Sequence, residues 1–241
     1  MKKLLKYAGP LFGIALFAAA LILLRHELRH YSYHQVVAAL KTLPAPWLLF
    51  ALLLTALNYA ALASYDLLAF RYLGRPHPYS KVLLPSFTAY AFSNNIGMAA
   101  LSGGSIRLRL YSAQGFSSVE IAQIIGFGIA TFWLGILAMG GAVFAFHPPA
   151  MPPGISLPFT SLRLLGVVML AAAAAYFALS FKNRLFSFRG LDLRLPSPRL
   201  AGLQLLASAA DWALAAGVLY ALLPATGAFG YFDLLAVFIL T

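Results

Sequence analysis

Apolar residues in this chain come in long runs rather than in alternation. Residues 7–24, 46–70, 121–146, 162–181 and 200–223 are almost wholly apolar, and the stretches between them hold most of the Lys, Arg and Pro. About 20 apolar residues in a helix cross the ~30 Å hydrocarbon core, where only a helix or a closed barrel satisfies its own backbone. The pattern predicts five spanning helices in an all-α, polytopic membrane bundle. Another run starts at Tyr231 and the sequence stops inside it with no cap or polar flank, so a sixth helix is expected to be incomplete and the chain truncated at its C-terminal end. The first run follows Lys2, Lys3 and Lys6 but exceeds the usual h-region of a secretory signal and shows no clear small-residue cleavage site, which makes it an uncleaved anchor.

Residues 82–102 break the pattern. The stretch is apolar in part, yet it holds Pro85, Ser86, Thr88, Ser93, Asn94, Asn95 and Gly97. Irregular or polar backbone at membrane depth survives only when buried in protein or lining a wet cavity. If this stretch crossed the membrane, Lys and Arg would divide almost evenly between the two sides. If it enters and returns, every Lys and Arg except Arg25, Arg29, Lys41 and Arg163 falls on one side. The positive-inside rule favours the second arrangement, a re-entrant polar hairpin with a cytoplasmic N-terminus. Residues 31–43, with Val36, Val37, Leu40 and Leu43 at helical spacing, suit a helix lying in the interface. Residues 147–161 are rich in Pro and suit a stiff external loop.

Composition agrees and excludes much else. Hydrophobic residues make up 62% and charged residues 10%, against about 45–50% and about 25% in soluble domains. The net charge of +11 therefore reads as membrane topology rather than as nucleic-acid binding. With no cysteine, disulfides and thiol chemistry are out. No P-loop, HExxH, GxSxG or dinucleotide glycine pattern occurs, so no catalytic residue, cofactor or metal ligand is assigned. His26, His30 and His34 recur every four residues, but without a partnering carboxylate they read as a solvated face. The small residues between Gly126 and Gly141 read as helix packing.

Three features carry candidate chemistry. Ser102, Gly103, Gly104 and Ser105, followed by Arg107 and Arg109, have the parts of an anion nest with guanidinium forks for a phosphate. The same residues also suit a glycine turn at the membrane boundary with arginines reaching the headgroups. Asp211 stands midway along its span, where an uncompensated carboxylate costs roughly 2.5–3.5 kcal/mol. It suits contact with a cationic headgroup, an arginine partner, proton coupling, or a buried packing role. Asp66 is nearer the end of its span, and Arg71 or Arg75 is within reach along the chain. Together with Ser93, Asn94 and Asn95, the two aspartates are the candidate polar path.

The segment AYAFSNNIGMAALSGGSIRLRLYSAQG, residues 89–115, and the later ASAADWALAAGVLYALLP, residues 207–224, resemble the N-terminal flippase region of the multiple peptide resistance factor family, the bifunctional lysylphosphatidylglycerol synthases/flippases. The resemblance implies a single transmembrane flippase-like domain over residues 1–241 with no soluble synthase domain. It implies translocation of aminoacylated phosphatidylglycerol from the inner to the outer leaflet of the bacterial cytoplasmic membrane, which gives resistance to cationic antimicrobial peptides. The matching polar positions are Asp66, Arg107 and Asp211, the last where the family often has Glu. Partners implied are the aminoacyl phospholipid, a lysyltransferase domain in cis or in trans, and a second copy of the chain. The chain by itself is expected not to be an enzyme. Other readings of the same polar residues are a secondary transporter for a small solute or ion, and a membrane anchor or regulatory module for a fused phosphatidylglycerol lysyltransferase.

Overall fold

The computed structural model describes residue 41 and residues 43–96, 99–149, 161–182, 185–188, 191–223 and 230–240. The chain divides into two units, Met1–Trp47 and Leu48–Thr241, and the second holds the helical bundle. The first apolar run, the histidine series, residues 31–40 of the interfacial segment and residues 150–160 of the Pro-rich loop lie outside the described residues.

Helix α1 is Ala45–Tyr72, α2 is Tyr79–Ile96 and α3 is Ala99–Ser112. Helix α4, Ser118–Gly135, runs through a π-helical turn, Ile136–Gly140, into α5, Gly141–Phe146. Helix α6 is Leu162–Ser180, α7 is Pro198–Leu222 and α8 is Tyr231–Leu240. Among the described residues, four helical segments are long and apolar enough to cross a membrane: α1, Ser118–Phe146, α6 and α7. These are the four described runs that the apolar pattern predicts, and the protein is an all-α polytopic membrane bundle. A short antiparallel hairpin pairs Leu185–Phe188 (β1) with Leu191–Arg194 (β2), an element the apolar runs do not announce.

Local chemistry sets the helix ends. Ser117 and Glu120 form a reciprocal capping box at the start of α4. Ser197 caps α7 with Pro198 just inside it. Helices α1 and α3 close in the same way, each with a glycine in the left-handed region, Gly74 at φ 69° and Gly115 at φ 85°. In each case the next N–H reaches back five residues, Arg75 to Phe70 at 3.0 Å and Phe116 to Tyr111 at 3.1 Å, so carbonyls the helix leaves unpaired are satisfied. Pro85 inside α2 has no N–H to offer the Lys81 carbonyl, and the Gln114 side-chain amide donates to it instead at 3.3 Å.

That last bond also fixes topology. Gln114, just past α3, meets both Lys81 and His77 at the start of α2, so α2 and α3 return to the end they left. Residues 82–102, expected to enter and return, therefore fold as two packed helices. Arg75 meets Glu120 at that end, and Arg71 shares a cavity with Arg199 there. The segments around residues 71–81, 109–120 and 195–199 thus share one end of the bundle, as the charge count predicts for a returning hairpin.

Among the described residues, two apolar cores hold the bundle. One gathers Phe70, Val82, Tyr111, Phe116, Ile121 and Ile124 beneath the basic end. The other gathers Val143, Phe144, Ala216, Leu235 and Ala236. In the second region α5 and α6 approach backbone to backbone: a Cβ on Gly166 would lie 2.8 Å from the Gly141 carbonyl oxygen, and one on Gly141 would lie 2.9 Å from the Leu170 nitrogen.

Candidate functional site

Asp66 lies on the buried face of α1, nearly two turns before its end, and is 1% exposed. Its partner is Arg107 of α3. Arg107 Nε donates to Asp66 Oδ2 at 3.0 Å and Nη2 donates to Oδ1 at 3.0 Å, a two-pronged fit of guanidinium to carboxylate. Tyr111, one helical turn beyond Arg107, donates its hydroxyl to Asp66 Oδ2 at 2.6 Å. The neighbours suggested by the sequence are elsewhere: Arg71 is exposed and Arg75 pairs with Glu120. Asp66 is thus a buried carboxylate rather than an interfacial one, because the helical return of 79–112 brings Arg107 against it.

The network continues through rings. The Arg107 guanidinium carbon stands 4.4 Å over the Tyr90 ring of α2, close enough for a cation–π contact. Tyr90 meets Tyr65 of α1 edge to face, with centroids 6.2 Å apart. Tyr65 donates its hydroxyl to Asp211 Oδ2 at 2.8 Å. Asn58 Nδ2 donates to Asp211 Oδ1 at 2.7 Å and to the Asp211 carbonyl at 2.9 Å. A single chain of contacts therefore runs from Tyr111 through Asp66, Arg107, Tyr90, Tyr65 and Asp211 to Asn58, across four helices.

Two carboxylates and one guanidinium sit in this network. Asp66 and Arg107 neutralise each other. Asp211 receives hydrogen bonds from neutral groups and has no salt-bridge partner among the described residues. Unpaired buried charge is costly, and the hydrogen bonds from Tyr65 and Asn58 offset part of that cost at Asp211.

Beside the network lies a cavity of about 340 Å³ whose wall includes Tyr65, Asp66, Tyr90, Ser93, Asn94 and Arg107, while Ile124, Ile125, Gly128 and Ile129 of α4 form an apolar wall. Phe132 and Trp133, both exposed, stand at its edge. This size falls within the usual range for small-ligand pockets, about 300–1,000 Å³.

The glycine-serine segment differs from a nest. Ser102, Gly103, Gly104 and Ser105 are in helical backbone within α3, so their N–H groups follow the helix axis rather than converging on an anion. Gly103 instead provides clearance, since a Cβ there would lie 2.8 Å from the Ala89 carbonyl oxygen and 3.3 Å from Arg107 Nη1. Its missing side chain lets α2 approach α3 and leaves room for the guanidinium. Ser93 is buried and donates to the Ala89 carbonyl at 2.8 Å, while Asn94 is exposed at the cavity. Asn95 is exposed and donates to the Ala91 carbonyl, and Arg109 is exposed on the last turn of α3. The structure thus brings Asp66, Ser93, Asn94 and Arg107 to one cavity and leaves Asp211 off its wall, bonded to the wall residue Tyr65.

Asn58, Tyr65, Tyr90 and Tyr111 complete the network, although charge and composition do not mark them as site residues. A signal exists for two of them: Asn58 and Tyr65 are seven residues apart in an apolar helix, hence on one face, and both meet Asp211. Likewise Arg107 and Tyr111, four apart, both meet Asp66.

No family model matches the chain. It is 36% identical over 225 residues to the uncharacterized protein slr0712 of Synechocystis sp., an alignment covering 92% of this chain and 70% of that protein. It is 31% identical over 210 residues to the inner membrane protein YbhN of Escherichia coli, covering 86% of this chain and 65% of that protein.

Proposed function

The chain belongs to the membrane-protein family of the Synechocystis protein slr0712, and from that premise we propose that it moves the headgroup of an aminoacylated phosphatidylglycerol, such as lysyl-phosphatidylglycerol, across the bacterial cytoplasmic membrane. The observation that carries this reading is the buried Asp66–Arg107 pair on the wall of a cavity among apolar helices. Such a headgroup brings a phosphate and at least one ammonium, the two charges complementary to that pair. As the headgroup enters, phosphate takes over the guanidinium and ammonium takes over a carboxylate, so neither charge is left bare. That exchange matters because breaking a buried pair without replacement costs about 3–5 kcal/mol. Asp211 supplies the second carboxylate along the path through Tyr65. The acyl chains stay in lipid beyond Phe132 and Trp133, and a lysyltransferase in cis or in trans supplies the lipid. Outer-leaflet export of this cationic lipid would lessen the surface charge that attracts cationic peptides.

The test is leaflet-resolved labelling of lipid amines in cells that make the synthase separately. Arg107→Ala and Asp211→Asn should each abolish the extra outer-leaflet label while total aminoacyl lipid stays constant. Unchanged labelling with both variants well expressed sinks the proposal, and effects confined to stability would leave an anchoring module.

One observation favours a second reading. Asp211 lacks a cationic partner among the described residues, which suits a secondary transporter that binds a small cation or a proton at that carboxylate. Solute uptake insensitive to lipid composition and lost in Asp211→Asn would select it.

A further inference from the structure

At the basic end of the bundle lies a second site, separate from the Asp66–Arg107 cavity. Arg71, on the last turn of α1, and Arg199, on the first turn of α7, line one cavity of about 370 Å³ with Ser197 and Leu203. Both arginines are exposed, and neither has an acidic partner among the described residues. No acidic side chain among the described residues lines the cavity. Arg71 and Leu203 also open a second hollow of about 420 Å³, which continues between α1 and α7 as far as Ala61 and Ala210 and is apolar apart from Ser64.

The dimensions suit one kind of molecule. From Arg71 to Ala61, and from Arg199 to Ala210, the helices advance about 15–17 Å at ~1.5 Å per residue. That is about half of the ~30 Å hydrocarbon core, the depth of one leaflet. Two guanidinium groups without acidic partners among the described residues stand at the mouth, and an apolar slot of one-leaflet depth runs inward between lipid-facing helices. Leu206, 69% exposed on the slot's wall, shows that it opens outward rather than into the protein core.

The geometry points to a binding site for an anionic glycerophospholipid drawn from the surrounding leaflet, its phosphate between Arg71 and Arg199 and one acyl chain in the α1–α7 slot. Guanidinium forks match phosphate oxygens. A soluble anion would leave the slot unused, and a zwitterionic lipid would bring an ammonium toward two arginines. The site holds lipid whether or not the central cavity translocates one.

Delipidated protein in detergent, offered phosphatidylglycerol or phosphatidylcholine of identical acyl chains, tests this by native mass spectrometry. The wild type should retain one phosphatidylglycerol in preference to phosphatidylcholine. The double variant Arg71→Gln/Arg199→Gln should weaken that retention roughly 10–30-fold, from about 1 kcal/mol per arginine. Ala210→Trp, which fills the slot from an exposed position and keeps both arginines, should weaken it as well. Arg107→Ala should leave retention intact, so failure here and failure of headgroup translocation give different patterns. Equal retention of the two lipids, equal competition by glycerol 1-phosphate, or wild-type retention by both the double variant and Ala210→Trp would overturn the assignment.

Discussion

Where α3 and α7 meet α1, the helices are joined by polar side chains: Arg107 to Asp66, Tyr65 and Asn58 to Asp211. Where α5 and α6 meet, they are joined by absence of side chains, with Gly141 and Gly166 letting the backbones touch. Both arrangements suit lipid, where burying apolar surface gives no net drive for helices to associate and close packing and hydrogen bonds must supply it. They differ in what they can do. The glycine contact has one tight solution and no chemistry to exchange with a ligand. The polar seam borders a cavity, and in the proposed function its bonds are the ones traded for bonds to a headgroup or an ion. Stability without a site and a site held by stability are thus divided between two regions of one bundle.

Substitutions break or sharpen this contrast. The largest expected effect is Asp66→Ala, which leaves the Arg107 guanidinium buried and bare and should destabilise the protein by about 3–5 kcal/mol in unfolding measurements in detergent. Combining it with Arg107→Met should recover much of that loss, since removing both partners leaves no unpaired charge. Next comes Gly166→Val. Its new atoms meet backbone of Gly141 and Phe144, which cannot swing aside, so a loss of about 1–3 kcal/mol is expected with the central cavity unchanged.

Asp211→Asn should be milder, about 1–2 kcal/mol, because one acceptor remains for Asn58 or Tyr65. Here the polar seam differs most from the glycine seam, for the small structural change should still remove the proposed translocation, read by leaflet-resolved labelling. The smallest effect belongs to the exposed rim. Arg75→Ala removes the 2.6 Å contact with Glu120, yet Glu120 keeps its capping box with Ser117. The melting temperature should stay within error of the wild type in high salt, where exposed pairs are screened.

Much of the fold was written in the apolar runs. All four described spans could be placed from length and composition, because the bilayer sets the length of a crossing and the lack of water forbids irregular backbone. The charge distribution also told in advance that residues 82–102 return, and His77 meeting Gln114 bears this out as bundle topology. The hairpin at 185–194 was not legible, since two strands of four residues leave too short a pattern among polar neighbours.

The site was legible as residue types and illegible as pairs. Asp66, Arg107 and Asp211 stand out in sequence because charge within an apolar region is expensive. Nothing local links Asp66 to Arg107, 41 residues away, or Asn58 to Asp211, 153 residues away. Ser102–Ser105 likewise read as a loop because glycine permits one, whereas helix packing against α2 chose the helix and used Gly103 for clearance. By itself the sequence determined which segments the membrane would accept and which residues had to find a partner. Only the tertiary structure decided the partners, because pairing depends on which helix faces come within the ~3 Å reach of a hydrogen bond.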